Sequence, residues 1–229
     1  MYNAVLEQMV NSNWYQTRMR AARQGYGLDR LVHDRNVYVR IEVANQGYGL
    51  NILIKSSSER IRVAVAQQGY GLDKLVYDRS ELVRREVAKQ GYGLHILIND
   101  NSSIVRAAVA EQGYGLDKLM HDTSVNVLLE VIHHGYGLDE LVNSANKLVR
   151  IEVARQGYGL DKLVMDPRPD VRRAVARQGY GLNILVNDSD DNVREEVTSQ
   201  GYGLDILIND TNACVRSVAR RILTYLNEK

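Results

Sequence analysis

Hydrophobic and polar positions recur along this chain with a fixed period. The tetrapeptide Gly-Tyr-Gly-Leu occurs nine times, with its first glycines 22 residues apart from Gly25 to Gly201. Within each period, apolar residues four positions apart, such as Val39 and Val43, form one stripe of an amphipathic helix. A fixed period of this length predicts a solenoid, in which each repeat buries its apolar face against its neighbours.

Polar residues suited to capping precede the predicted helix of each repeat. In the repeat spanning residues 36–57, Asn36 holds this position, and Pro169 falls at the first helical position of a later repeat, where a missing N–H costs nothing. The same register is held by Ser58, Ser80, Ser102, Ser124, Asn146, Asp190 and Asn212. Their side chains accept hydrogen bonds from unpaired backbone N–H groups, so each helix is predicted to start directly after them.

The Gly-Tyr-Gly-Leu segment is predicted to end the long helix and to lead into a short one. After a helix over residues 37–46, Gly47 suits the left-handed conformation, and Tyr48 falls where a Schellman ending packs back on Val43. An Asp or Asn then supplies a second capping signal, as at Asp29, Asn51, Asp73 and Asp117. Only about one turn fits before the next repeat, so the short element is predicted to be 3₁₀-like.

Two further columns carry candidate chemistry. An arginine follows an aspartate by six residues in most repeats, as Arg40 follows Asp34, with serine replacing the aspartate at Ser56 and Ser144. An evenly spaced cationic row suits a polyanion, but these arginines lie beside the core stripe, so we interpret them as paired, partly buried structural charges. The tyrosine row is interpreted as cap packing, because solenoid steps of about 8–10 Å are wider than stacked bases.

The motif Asp-x-x-x-x-Val-Arg-x-x-Val-Ala, from Asp34 to Ala44, resembles the unit of HEAT-like repeats and, more closely, of the leucine-rich repeat variant. This resemblance covers nearly the whole chain and implies a right-handed superhelix of alternating α and 3₁₀ helices. The family unit is slightly longer, and the cysteine-rich iron-sulfur segment found beside some such repeats is absent here. HEAT-like relatives mostly bind proteins, and a branch resembling DNA glycosylases handles duplex DNA, so the resemblance implies a fold without fixing the chemistry.

Together these signals predict an all-α protein: a right-handed α-solenoid of nine 22-residue repeats, each with one α-helix and one short 3₁₀-like helix, capped at both ends. A single repeat domain is expected over residues 1–229. Within it, residues 1–12 form an N-terminal half-repeat cap, residues 13–212 the repeats, and residues 213–229 a C-terminal capping helix.

Composition excludes several classes of protein. The chain has 229 residues, 45% of them hydrophobic, and no apolar run long enough for a membrane span. The opening residues lack a basic region and an apolar region, so a cytoplasmic protein is expected. The single cysteine, Cys214, forms neither an internal disulfide nor a cysteine-based metal site. The histidines do not converge and most polar residues repeat in every unit, so no metal, no cofactor, no small-molecule substrate and no enzyme activity are expected.

Candidate functional residues are sought where the repeat varies. Three columns on the long helices lie away from the core stripe and hold apolar residues where solvent favours polar ones. The resulting mixed apolar and basic patch consists of Arg85, Lys89, Ile104, Leu129, His133, Leu148, Ile151, Arg155, Arg173 and Arg177. Such a patch is typical of a protein contact, with homodimerisation or burial by superhelical curvature as the alternatives.

The repeat over residues 125–146 departs most from the pattern. Leu128 replaces the arginine, Ile132 replaces the alanine and His134 replaces the glutamine. We interpret the change as drift, with Leu128 joining the core and Ile132 widening one gap between helices.

The alternative function is nucleic-acid binding at the opposite edge. A phosphate-tracking row of Arg30, Lys55, Lys74, Lys118 and Lys162 lies in or just after the short helices. Isoleucines and a glutamate interrupt this row, and 29 basic residues face 28 acidic ones, so a protein partner is favoured.

Overall fold

The computed structural model describes residues 2–228 and shows an all-helical repeat solenoid. Over these residues there are twenty helices and no strands. From residue 15 to residue 207, nine-residue helices alternate with four-residue helices, and this confirms the predicted fold class. The chain forms two compact units, Met1–Gly115 and Leu116–Lys229, called here the N-terminal and C-terminal units. The expectation of a single domain over residues 1–229 stays a prediction.

In the N-terminal unit, consecutive long helices pack side by side, with α2 on α4, α4 on α6, α6 on α8 and α8 on α10. Its helices are α1 (Tyr2–Val10), α2 (Tyr15–Arg23), α3 (Leu28–Leu31), α4 (Val37–Asn45), α5 (Leu50–Leu53), α6 (Glu59–Gln67), α7 (Leu72–Leu75), α8 (Glu81–Lys89), α9 (Leu94–Leu97) and α10 (Ser103–Glu111).

In the C-terminal unit the same packing joins α12 to α14, α14 to α16, α16 to α18 and α18 to α20. Its helices are α11 (Leu116–Leu119), α12 (Val125–His133), α13 (Leu138–Leu141), α14 (Lys147–Arg155), α15 (Leu160–Leu163), α16 (Pro169–Arg177), α17 (Leu182–Leu185), α18 (Asp191–Ser199), α19 (Leu204–Leu207) and α20 (Ala213–Asn227).

The core of each repeat comes from the predicted stripe and from the short helix. Val39, Val43 and Ala44 are fully buried on α4, and Leu53 closes the layer from α5. Each fully buried side chain of valine or leucine size contributes about 1.5–3 kcal/mol to folding. Most repeats supply the same set, with Ile132 and Thr198 at the alanine position of α12 and α18, so the core is continuous along each compact unit.

The long helices end in the predicted Schellman motif. After α4, the Tyr48 N–H donates to the Val43 carbonyl at 3.2 Å and the Gly47 N–H donates to the Ala44 carbonyl at 2.8 Å. Gly47 has a φ of 71°, the left-handed conformation that glycine adopts without penalty. The tyrosine therefore has a structural position in each repeat, with its ring still partly exposed, as for Tyr48 at 43%.

The second glycine of each segment has a role that the sequence analysis did not assign. Gly49 caps α5 with a φ of 62°, and a Cβ built on it would lie 2.5 Å from Cγ2 of Val32 in the preceding repeat. The residue at this position is therefore restricted both by its backbone and by the closeness of the neighbouring repeat. Val10 lies against Gly27 in the same way. The N-terminal half-repeat cap over residues 1–12, of which Met1 lies outside the described residues, stays a prediction.

The short helices differ in two respects from the prediction. They are single α-helical turns with 3₁₀-type bonds at their ends: in α3, the Leu31 N–H donates to the Gly27 carbonyl, and the Asp34 N–H then donates to the Leu31 carbonyl. The predicted Asp/Asn cap is wrong, because Asp29 lies inside the first turn and glycine occupies the capping position. A left-handed glycine directs the chain into the turn without a side-chain cap.

The N-caps of the long helices lie where the sequence predicts them, and Pro169 occupies the first turn of α16. The amide oxygens of Asn36, Asn146 and Asn212 and the carboxylate of Asp190 accept backbone N–H bonds. The serine caps, such as Ser58, make no side-chain capping bond. Lys229, the last residue of the predicted capping helix, lies outside the described residues.

Candidate functional site

The arginine column pairs with aspartates across repeats. Six arginines of the column bind the carboxylate of the aspartate sixteen residues later, which opens the next copy of the Asp-x-x-x-x-Val-Arg motif, rather than the side chain six positions earlier in their own copy. Six pairs share this arrangement: Arg18–Asp34, Arg62–Asp78, Arg84–Asp100, Arg150–Asp166, Arg172–Asp188 and Arg194–Asp210. We call them inter-repeat pairs.

The pair between Arg62 and Asp78 shows the geometry. Arg62 donates from Nε and Nη2 to the two carboxylate oxygens of Asp78 at 2.7 and 2.8 Å. Its Nη1 donates to the Ser56 carbonyl at 2.8 Å, while Asp78 also accepts from the Ser80 backbone N–H at 2.8 Å. Only 7% and 9% of the two side chains are exposed. The pair thus connects the loop at Ser56, the loop at Asp78 and the start of α8, and it is largely shielded from solvent.

These contacts change the ionisation of both partners. Burial by itself raises the pKa of Asp78, but hydrogen bonds from Arg62 and the Ser80 backbone outweigh it and hold the pKa below its ordinary value. The same carboxylate raises the pKa of Arg62. Both groups remain charged at neutral pH and neutralise each other, so the structural interpretation of this arginine column is confirmed for the six pairs.

The divergent repeat on α12 follows the interpretation given from the sequence. Leu128 is 8% exposed and Ile132 is fully buried, so both belong to the core. The residue sixteen positions after Leu128 is Ser144, which lacks the carboxylate that an arginine would need. Here the arginine and its aspartate are replaced together.

A groove between α14 and α16 brings five of the predicted patch residues together. It encloses about 290 Å³. It is lined by Lys147, Leu148, Ile151, Arg155, Asp170, Arg173, Ala174 and Arg177. Leu148 and Ile151 come from the variable columns of α14, and Arg155 and Arg177 are the last residues of the two helices. Arg173 lies in the middle of α16, and Lys147 is the first residue of α14. We call this feature the α14/α16 groove.

The groove combines an exposed apolar residue with half-exposed cations. Leu148 is 51% exposed, and the side chains of Arg155, Arg173 and Arg177 are 54%, 48% and 52% exposed. Each guanidinium offers five N–H donors, more than its single intramolecular carboxylate engages. Donors therefore remain available at the solvent side, next to apolar surface.

Carboxylates missed by the sequence analysis hold these cations in place. Glu196 on α18 accepts from Arg177 at 2.7 Å and from Arg173 at 3.1 Å. Burial by itself raises the pKa of Glu196. The hydrogen bonds from Arg177 and Arg173 lower it by more than burial raises it, so the pKa of Glu196 lies below its ordinary value. Lys147 binds Asp170 at 2.6 Å, and Arg155 binds Glu152 at 3.1 Å.

A spacing in the sequence could have revealed one of these contacts. A basic residue in the last turn of a long helix is followed nineteen residues later by a glutamate on the next long helix. Arg23 meets Glu42 at 2.7 Å and His133 meets Glu152 at 3.4 Å by the same rule.

No protein-family model matches this sequence, and no curated protein is significantly similar to it. The resemblance to the leucine-rich repeat variant therefore stays a prediction. Over residues 2–228, no three side chains of His, Cys, Asp or Glu are grouped as metal ligands. No helix in that range is both long enough and apolar enough to cross a membrane.

The other five patch residues lie outside the α14/α16 groove. In the C-terminal unit, Leu129 is half-buried on α12 and His133 is exposed beside Glu130. In the N-terminal unit, Ile104 is half-buried and Lys89 lies 3.5 Å from Glu111. Arg85 is half-buried as well, and its Nε is buried without an acceptor.

The expectation that the apolar members of the patch are exposed holds for Leu148 and is wrong for the others. Ile104, Leu129 and Ile151 are half-buried. Leu129 and Ile151 share the helix position directly after the arginine column. Ile104 holds the position that Leu148 holds on α14. Each of these long helices packs against a neighbouring long helix.

One member of the alternative basic row is held by a carboxylate. Arg30 binds Glu7 through two bonds of 2.6 and 2.8 Å, and this contact, followed by a bond from Asn11, lowers the pKa of Glu7 to about 2. Lys55 and Lys74 are exposed and line one cavity of about 430 Å³ together with Asp73. Lys118 and Lys162 are exposed on α11 and α15.

Proposed function

We propose that this chain is a non-enzymatic, cytoplasmic protein-binding module, a scaffold or an inhibitor, and that the α14/α16 groove contacts its partner. The observation that carries the proposal is the exposed Leu148 beside three half-exposed arginines. Apolar surface with arginine at its border is typical of protein interfaces. Because four cationic side chains share three carboxylates, the groove favours a partner segment with an apolar side chain next to acidic ones.

The test uses three variants that differ in charge and place. Leu148→Asp and Leu148→Lys both remove the apolar contact, but the aspartate also repels an acidic partner. Asn126→Asp is the matched control, because Asn126 holds the same helix position on α12, is exposed and lies outside the groove. Wild type and variants are used to capture partners from lysate of the native source, with and without nuclease, and the retained protein is then titrated against each.

We expect to capture a stoichiometric protein whose retention does not depend on nuclease. This partner should bind the Asn126→Asp control as tightly as wild type, Leu148→Lys more weakly, and Leu148→Asp most weakly. Loss of one apolar anchor should weaken binding by at least about tenfold. Equal affinity for wild type and folded Leu148→Asp contradicts the assignment of the groove.

Nucleic-acid binding is the second candidate, supported by the exposed Lys55 and Lys74 at one cavity. Under this alternative, nuclease removes the captured material, and Lys74→Glu lowers both the affinity for nucleic acid and its dependence on salt. The Leu148 variants leave that binding unchanged.

A further inference from the structure

One inter-repeat position keeps its arginine although the chain supplies no carboxylate for it. Arg40 on α4 precedes Ser56 by the sixteen residues that separate the members of every inter-repeat pair. Its Nε is buried and has no hydrogen-bond acceptor. In the six complete pairs the same atom donates to an aspartate oxygen at 2.5–2.7 Å.

The chain itself provides the comparison. Where Ser144 replaces the aspartate, the arginine is replaced as well, by the buried Leu128. The fold thus accommodates an apolar side chain at this position when the carboxylate is missing. Arg40 is half-buried, and its Nε is buried without an acceptor. A partly desolvated cation without a counter-charge is destabilising, so an arginine retained beside Ser56 calls for an anion from outside the chain.

The backbone N–H of Ser58 corresponds to one that holds an aspartate in the complete pairs. In a complete pair one carboxylate accepts from the arginine and from the backbone N–H two residues on, as the Ser80 N–H donates to Asp78 at 2.8 Å. Beside Arg40 the corresponding N–H, of Ser58, donates to the Ser56 hydroxyl over a longer 3.2 Å. The hydroxyl is one atom shorter than a carboxylate and leaves Arg40 Nε unreached.

The surroundings favour a single negative charge. Lys55 is exposed directly before Ser56. Both residues line a cavity of about 430 Å³ together with Arg62, Asp78 and Arg79, and Arg40 does not line this cavity. The aspartates on either side, Asp34 and Asp78, are each neutralised by their own arginine. A carboxylate entering here therefore meets uncompensated positive charge.

We propose that Arg40, Ser56 and the Ser58 backbone N–H form a binding site for one carboxylate group, which takes the place of the missing aspartate side chain. The group comes either from a small free monocarboxylate or from an acidic side chain of a bound protein. The site lies in the N-terminal unit and is independent of the α14/α16 groove.

The test follows the Arg40 Nε–Hε resonance by NMR during titration with sodium acetate, against sodium chloride at equal ionic strength. Wild type should show a saturable shift with acetate, together with a rise in the urea midpoint. Ser56→Asp supplies the carboxylate internally, so it should abolish the acetate response and raise the midpoint without acetate. Arg40→Leu, which copies the Leu128 arrangement, should abolish the rise in the midpoint.

Two results overturn the proposal: a wild-type resonance that acetate shifts no more than chloride does, or an acetate response that persists in Ser56→Asp. The first result needs no variant, so a variant that fails to fold does not spoil the test. A parallel titration with N-acetyl-glutamate amide identifies the source. If N-acetyl-glutamate amide binds more tightly than acetate, the carboxylate comes from an acidic protein side chain. If it binds more weakly than acetate, the carboxylate comes from a small free molecule.

Discussion

Breaking one inter-repeat pair should cost far more than removing both of its members. We consider Asp78→Ser, which leaves Arg62 buried at 7% exposure without its two carboxylate bonds. Serine keeps the local turn, since Ser56 already accepts the N–H of Ser58 in this way. The loss therefore reports on the uncompensated charge, and breaking a buried pair by removing one partner costs about 3–5 kcal/mol.

The double variant Arg62→Leu with Asp78→Ser copies the Leu128 and Ser144 arrangement that the chain already contains. Leucine removes the charge and packs against the core, and replacing a buried ion pair by apolar residues is often close to neutral. We expect the double variant to recover at least about 2 kcal/mol relative to Asp78→Ser, because the buried charge without a partner is gone. The coupling energy follows when the loss in Arg62→Leu alone is also subtracted.

The assay is urea unfolding followed by circular dichroism, with wild type, both single variants and the double variant fitted together. A matched control is Arg79→Leu, because Arg79 is exposed and adjacent in sequence to the pair. Additive losses in the double variant, or a loss below about 1 kcal/mol for Asp78→Ser, would refute the reasoning that these pairs are desolvated and interdependent.

Two further predictions concern backbone and pH. Gly47→Ala should cost about 1–2 kcal/mol because its φ of 71° is left-handed, whereas Gly49→Ala should cost about 1–3 kcal/mol more because its Cβ would lie 2.5 Å from Val32. Urea midpoints measure both, Val32→Ala should relieve only the second, and equal losses would contradict the close approach. The pKa values of Asp34, Asp78, Asp100, Asp188 and Asp210 are lowered in the folded state, so their stabilisation is present above the ordinary aspartate pKa of 3.8 and lost as the pH falls through the folded values. Urea midpoints should therefore be nearly level from pH 7 to about pH 5 and fall steeply below about pH 4. The fall should be smaller in the Arg62→Leu, Asp78→Ser double variant, which lacks one of these carboxylates. A fall centred near pH 6 would contradict an origin in the aspartates.

The candidate site was only partly predictable from the sequence. The variable columns placed Leu148, Arg155 and Arg177 on one surface, because helical periodicity fixes which residues share a face. The sequence could not show that Leu148 is exposed while Ile151 is half-buried, because the exposure of both side chains depends on how closely the next helix packs. Nor did it reveal that Glu196 lies between two arginines, because that contact joins different repeats.

The sequence by itself determined the repeat, the long helices, their N-caps and their Schellman endings. These features depend on hydrogen bonds and packing within a few residues, and local periodicity records them directly. Only the tertiary structure shows which aspartate an arginine binds, why the second glycine is needed, and that Arg40 Nε is left without an acceptor. Each of these depends on the register and distance between neighbouring repeats, which are set by the packing of whole helices and not by the spacing of residues along one of them.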